Sequence, residues 1–89
     1  MSYQWDKEKA KLNRVKHGIF FSDAVAVFSD AHAITIENGH QDEQRFITIG
    51  MDAFGRVLVV IYTWREDEIR IISARLATPK EHKQYEAKR

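Results

Sequence analysis

The stretch "RVLVVIYTWR", residues 56 to 65, restricts the possible folds more than any other. Ten residues pass with almost no polar break, which predicts a central strand covered on both faces. Its apolar part, "VLVVIYTW", has eight residues and cannot span a bilayer. The strand therefore needs neighbours at both edges and cover on both faces, all from a chain of 89 residues. That length predicts one domain over residues 1–89, near the small end of what folds alone.

The flanking sequence offers those neighbours. From residue 33, "AITIE" alternates weakly, and Asn38-Gly39 then reads as a turn. "QRFITIG" follows as a strand, with Phe46, Thr48 and Gly50 on one side and Arg45, Ile47 and Ile49 on the other. "MDAFG" turns the chain, Gly55 supplying an unusual dihedral. "IRIISARLA" pairs antiparallel with the central strand. A three-residue turn at 66–68 sets Arg65 opposite Ile69 and Arg75 opposite Val59. The two arginines then share a face near opposite ends of the hairpin.

The remaining segments read as helices and one short strand. "YQW" at 3–5 is a candidate first strand. Asp6 caps a mostly polar helix running to about Lys16, and Gly18 stops it. Ser22 is the expected cap of a two-turn helix, with Phe21 before the cap and Asp30 at its close. Thr78 and Pro79 open a final helix whose main apolar anchor is Tyr85. The expected class is α+β: a small, mostly antiparallel sheet of three or four main strands, with N-terminal helices and a C-terminal helix.

Composition excludes several classes. Without cysteine there is neither a disulfide framework nor a thiolate metal site. The N-terminal residues lack the apolar segment of a signal peptide, so a cytoplasmic location is expected. Formal net charge is +1, but its distribution is uneven. Residues 1–18 carry five basic and two acidic side chains, residues 19–55 one and six, and residues 56–89 eight and five. If the two basic ends meet in the fold, they form a basic face suited to a polyanion.

None of the four histidines stands at a metal-binding spacing, so no metal or other cofactor is expected. No phosphate-binding glycine loop and no serine elbow occur either. His17 suits a helix end through the helix dipole alone, and His82 shares a face with Glu86. Arg75, at the end of an apolar run, either reaches back to water or clamps a phosphate with its fork of donors. A pairing with Glu81 or Glu86 that only stabilises the last helix is a further alternative. RNA cleavage is compatible with this inventory. RNA carries its own nucleophile, the 2′-hydroxyl, and needs a base, an acid and cations around the phosphorus.

Several separated stretches resemble the BrnT toxins of bacterial type II toxin–antitoxin systems. They are "WDKEKAKLNRVKHGIFFSDAVAVFSD" at 5–30, "HQDEQRF" at 40–46, Gly50, "GRVLVVIYTWR" at 55–65 and "IRIISARLA" at 69–77, with Glu81 and Tyr85 in the tail. The resemblance implies a RelE-like fold and an endoribonuclease that slows translation. It implies a BrnA-like ribbon-helix-helix antitoxin as partner, with operator DNA contacted only through that antitoxin and no membrane association. Residue by residue, it implies Arg65, Arg75, Glu81 and Tyr85 as catalytic candidates. Lys16 and His17 of "KHG", together with Arg70 and Lys80, are the RNA-binding candidates. This chain departs from the pattern where Leu76 and Ala77 follow "SAR", at a point where many relatives carry another basic residue. The competing reading is a non-catalytic antitoxin-binding or corepressor module.

Overall fold

The structure, a computed structural model, describes residues 1–39 and 43–87. Five strands form one mixed sheet: β1 (Ser2–Gln4), β2 (Ile34–Gly39), β3 (Gln44–Met51), β4 (Val57–Arg65) and β5 (Glu68–Leu76), in the order β1-β5-β4-β3-β2. The apolar run is the middle strand, and Val57 to Val60 are buried on both faces, as its composition requires. β2 to β5 are antiparallel neighbours, but β1 runs parallel to β5, with Tyr3 opposite Ile69. The sheet is thus wider than the expected three or four main strands, and mixed. A parallel partner 66 positions away leaves no hairpin signal in the sequence.

The β4–β5 hairpin differs from expectation in one instructive way. Its turn has two residues, Glu66 and Asp67, so Arg65 faces Glu68 rather than Ile69. Glu66 takes a left-handed φ of 57° there. A bulge then restores the register: Tyr62 pairs with Ile71 and Ile61 with Ser73, leaving Ile72 over. Arg75 consequently does face Val59. Asn38 and Gly39 form no turn. They still pair in β2, opposite Arg45 and Gln44, and residues 40–42 lie outside the described residues.

Helix α1 (Lys7–His17) has the expected ends. Asp6 accepts from the Lys9 amide at 3.0 Å, and Gly18, with φ 73°, closes it through a bond to the Arg14 carbonyl. The next helix does not start at a Ser22 cap. α2 (Phe21–Ala24) begins two residues earlier, with Phe20 at the cap position, and tightens into a 3-10 segment, Val25–Ser29. Packing decides this, since Phe21, Ala24 and Val27 must all reach the sheet. Gly50 makes the approach possible. A Cβ there would stand 2.8 Å from Val27 Cγ1 and 3.1 Å from Ala33 Cβ.

Two apolar layers result. The larger joins Ile19, Phe21, Ala24 and Val27 to Leu58, Val60, Tyr62, Ile69, Ile71 and Ala74. The smaller joins Ile49, Val57 and Val59 to Tyr85 of helix α3 (Pro79–Ala87). Tyr85 is the buried residue α3 contributes, so this layer rests on one side chain.

Candidate functional site

β1 ends opposite Arg70, so the outer edge of β5 beyond that point lacks a strand partner. Asn13 of α1 takes its place. Its amide nitrogen donates to the carbonyls of Ala74 (2.8 Å) and Ile19 (3.1 Å), and its oxygen accepts from the Ala74 amide at 3.1 Å. The side chain mimics a strand backbone and covers an otherwise open edge. Two distant stretches, "NRVKHG" and "RIISAR", thereby meet. The two basic ends of the chain do come together, since α1 and β1 both lie against β5.

Beside Asn13 runs a groove of about 190 Å³, lined by Lys9, Leu12, Lys16 and His17 from α1 and by Ile72 and Ser73 from β5. The bulge opens β5 at this point. Lys16 and His17 occupy the last turn of α1, where the helix dipole favours cations.

The same register sets the arginines. Arg65 opposite Glu68, Arg70 opposite Thr63 and Arg75 opposite Val59 all lie on the sheet face that carries α3. Their surroundings differ. Arg65 is exposed, and no ion pair with a described residue holds it. Arg70 donates to Gln4 Oε1 at 2.7 Å, and Gln4 in turn donates to Glu68 at 2.8 Å. Arg75 forks onto Glu81, Nη1 to Oε1 at 2.7 Å and Nη2 to Oε2 at 2.9 Å. Lys80 is exposed in the first turn of α3.

Glu81 closes a capping box as well. It accepts from the Thr78 amide at 2.9 Å while its own amide donates to Thr78 Oγ1 at 3.2 Å. The Arg75 hydrogen bonds, aided by Thr78 and opposed by partial burial, hold the Glu81 carboxyl down to about 2. Arg75 is correspondingly raised by Glu81. At neutral pH Glu81 is thus an ionised acceptor, and a carboxylate of that acidity is a weak proton acceptor.

Tyr85 lies beneath this surface. Its ring is 2% exposed and its hydroxyl donates to Asp30 Oδ2 at 2.7 Å. Asp30 also accepts from the Met51 amide (2.8 Å) and the His32 amide (2.9 Å). Burial works to raise the Asp30 carboxyl, but the bonds from Tyr85, Met51 and His32 outweigh it and hold the group below the ordinary aspartate value. Asp30 therefore locks α3 to the 3-10 segment and β3. In the sequence Asp30 stands only as the close of a helix, and Asn13 carries no assigned role within "NRVKHG". The signal for Asn13 was a poor helix former in the interior of a helix.

Among the described residues, no group of three His, Cys, Asp or Glu side chains could hold a metal ion, and no helix is long and apolar enough to cross a membrane. His40 lies outside the described residues. His82 sits 3.7 Å from Glu86, as their spacing suggested.

A family profile described as the ribonuclease toxin, BrnT, of type II toxin–antitoxin systems matches residues 5–81. The chain belongs to the BrnT family. The match takes in α1, every strand from β2 to β5 and the Arg75–Glu81 pair, and stops short of Tyr85. Among solved structures, the fold is similar to a 1.1 Å crystal structure of the Brucella abortus ribonuclease toxin BrnT. The TM-score is 0.65 at 23% identity, covering 88% of this chain and 99% of that one. No curated protein matches the sequence. A BrnT toxin belongs to a two-part system, so an antitoxin partner comes with the family.

Proposed function

We propose that this BrnT-family chain is a metal-independent endoribonuclease that cleaves cytoplasmic RNA, inhibits translation and is neutralised by a BrnA-like ribbon-helix-helix antitoxin. The observation that carries the reading is the Asn13–Ala74 junction. It sets Lys16 and His17 at the β5 edge beside Ile72 and Ser73, while Arg70 and Arg75 project from the face of the same strand that carries α3. A phosphodiester lying along β5 meets cations from both ends of the chain.

On this reading the 2′-hydroxyl attacks phosphorus and gives its proton to a carboxylate oxygen of Glu81. The new P–O2′ bond forms, the bond to the 5′-oxygen of the next nucleotide breaks, and that oxygen leaves with a proton taken from water. Arg75 binds the non-bridging oxygens as charge gathers on them, and Arg65, about 20 Å away along the hairpin, holds a phosphate further along the strand. The Glu81 fork holds the Arg75 guanidinium in place beforehand, so little reorganisation is required. Arg75 keeps this fork and offers its remaining N–H groups to the phosphate, while the second lone pairs of the Glu81 oxygens stay open to the attacking hydroxyl. Tyr85 acts through α3, whose position fixes that of Glu81. Lys16, His17, Arg70 and Lys80 bind the flanking strand. An acidic antitoxin segment laid over this track blocks it by charge and by bulk, and the antitoxin supplies the contact with operator DNA.

The closed Arg75–Glu81 pair favours one other reading, a non-catalytic antitoxin-binding or corepressor module. Cleavage of total RNA by the purified protein separates the two. We expect cleavage that persists in excess EDTA and leaves 2′,3′-cyclic phosphate ends. Activity lost on chelation and restored by one metal overturns the metal-independent mechanism. No cleavage alongside intact antitoxin binding selects the non-catalytic module.

A further inference from the structure

We propose that the cleft on the opposite flank of α1 is a second RNA subsite, which takes one nucleotide of the strand beyond the position cleaved. The proposal rests on the ribonuclease reading and extends it. Lys7, Lys11 and Arg14 recur at i, i+4 and i+7, so they share one flank of α1, while Lys9 and Lys16 share the other. The first flank borders a cleft of about 310 Å³, walled by Trp5 and Phe20 with the small Ala10 between the cations.

Phe20 is the telling residue. Its neighbours Ile19 and Phe21 are buried, but Phe20 is turned outward and 49% exposed. The Arg14 guanidinium lies 5.3 Å from its ring centroid. Trp5 is held edge-on to Phe21 at 6.0 Å, which fixes the other wall. Among the described residues, no acidic side chain lines the cleft. Aromatic faces beside unpaired cations bind a nucleobase by stacking and its phosphate by charge, with little sequence preference. The volume lies at the lower end for small-molecule sites, which suits a single nucleotide better than a duplex. A helix with its side chains is about 10–12 Å across, so one strand can reach from the β5 groove over α1 to this cleft. The ridge between them carries exposed Leu12 and Val15.

The test uses the whole protein and a fluorescein-labelled, fully 2′-O-methylated oligoribonucleotide, which lacks the attacking hydroxyl. Anisotropy gives Kd across a salt series for wild type, Phe20→Leu and Lys7→Gln/Lys11→Gln, with circular dichroism to confirm folding. Phe20→Leu should weaken binding about 5-fold or more, the lower bound for losing one base stack. The double lysine variant should reduce the slope of log Kd against log salt by about 1.4. Wild-type Kd and slope in both variants overturn the subsite. So does unchanged RNA binding with lost antitoxin binding, which marks the cleft as a protein contact. Cleavage of unmodified RNA by wild type, measured in parallel, keeps the two readings apart. Binding through the cleft without cleavage removes only the ribonuclease step, whereas cleavage with unaltered variants removes only the subsite.

Discussion

Arg75 stands in two relations at once, one to Glu81 and one to solvent on the sheet face. Its fork onto Glu81 joins β5 to the first turn of α3, and Glu81 is already part of the helix cap. The pair is partly exposed, with side-chain accessibilities of 34% and 23%, so its loss should cost only about 1 kcal/mol of stability. A phosphate clamp used in the transition state weighs more, roughly 2–4 kcal/mol, or about 30- to 1000-fold in rate. Arg75→Ala should therefore remain folded and lose cleavage far beyond its loss of stability. Arg75→Lys keeps the charge and loses the fork, so it should retain stability better than activity. Thermal melts and single-turnover cleavage on both variants provide the check. Wild-type cleavage in both variants removes Arg75 from the mechanism. A fall that only tracks the unfolded fraction makes it a strut for α3. Arg75 stands opposite Val59 as expected, but only because the bulge at Ile72 offsets a turn one residue shorter than expected. Which glutamate it meets was not legible, because Glu81 and Glu86 both lie on a helix whose packing angle no local pattern specifies.

At the level of elements, α1 reaches the sheet through a polar side chain rather than an apolar stripe. Asn13 is 6% exposed and serves three backbone groups of β5 and the Ile19 loop. Removing it leaves those groups without partners, each worth about 1–3 kcal/mol if water stays out. Asn13→Ala should lose about 2 kcal/mol or more in a denaturant melt. It should also uncover the β5 edge, visible as concentration-dependent association in size-exclusion chromatography. An unchanged midpoint would show that ordinary helix packing, not this side chain, covers the edge. The antiparallel core from β2 to β5 could be read from period-two patterns and from Gly55, which does take a φ of 81°. The features that escaped are those set by tertiary contact. Parallel β1 has its partner at the far end of the chain. The bulge at Ile72 compensates a shorter turn. The start of α2 follows the burial of Phe21 instead of the capping preference of Ser22. The candidate site was legible as residue types, but their meeting point depends on Asn13, which no motif singled out.

For the molecule as a whole, the two apolar layers differ in how they are held. The layer under α1 and α2 is broad, while α3 is fastened by Tyr85 and by two carboxylates, Asp30 beneath it and Glu81 at its start. Both carboxyls titrate below their ordinary values of 3.8 and 4.5, Glu81 at about 2. A depressed folded value means that each group favours the folded state fully above its ordinary value. That contribution is lost as pH falls through the lowered one. Stability from these two groups should thus be constant above about pH 5 and decline between pH 4.5 and 2. Protonated Asp30 accepts the Tyr85 hydroxyl and Met51 amide less strongly, and protonated Glu81 releases Arg75 and the Thr78 cap. Acid should consequently loosen α3 before the sheet. In hydrogen exchange at pH 3, amides of 82–87 should lose protection while those of β4 keep theirs. Glu81→Gln should show a flatter decline of melting temperature over the same range, because its share no longer titrates. Simultaneous loss of protection in α3 and β4 would mean that the thin layer is not a separate unit, and an unaltered acid limb in Glu81→Gln would assign the acid sensitivity elsewhere.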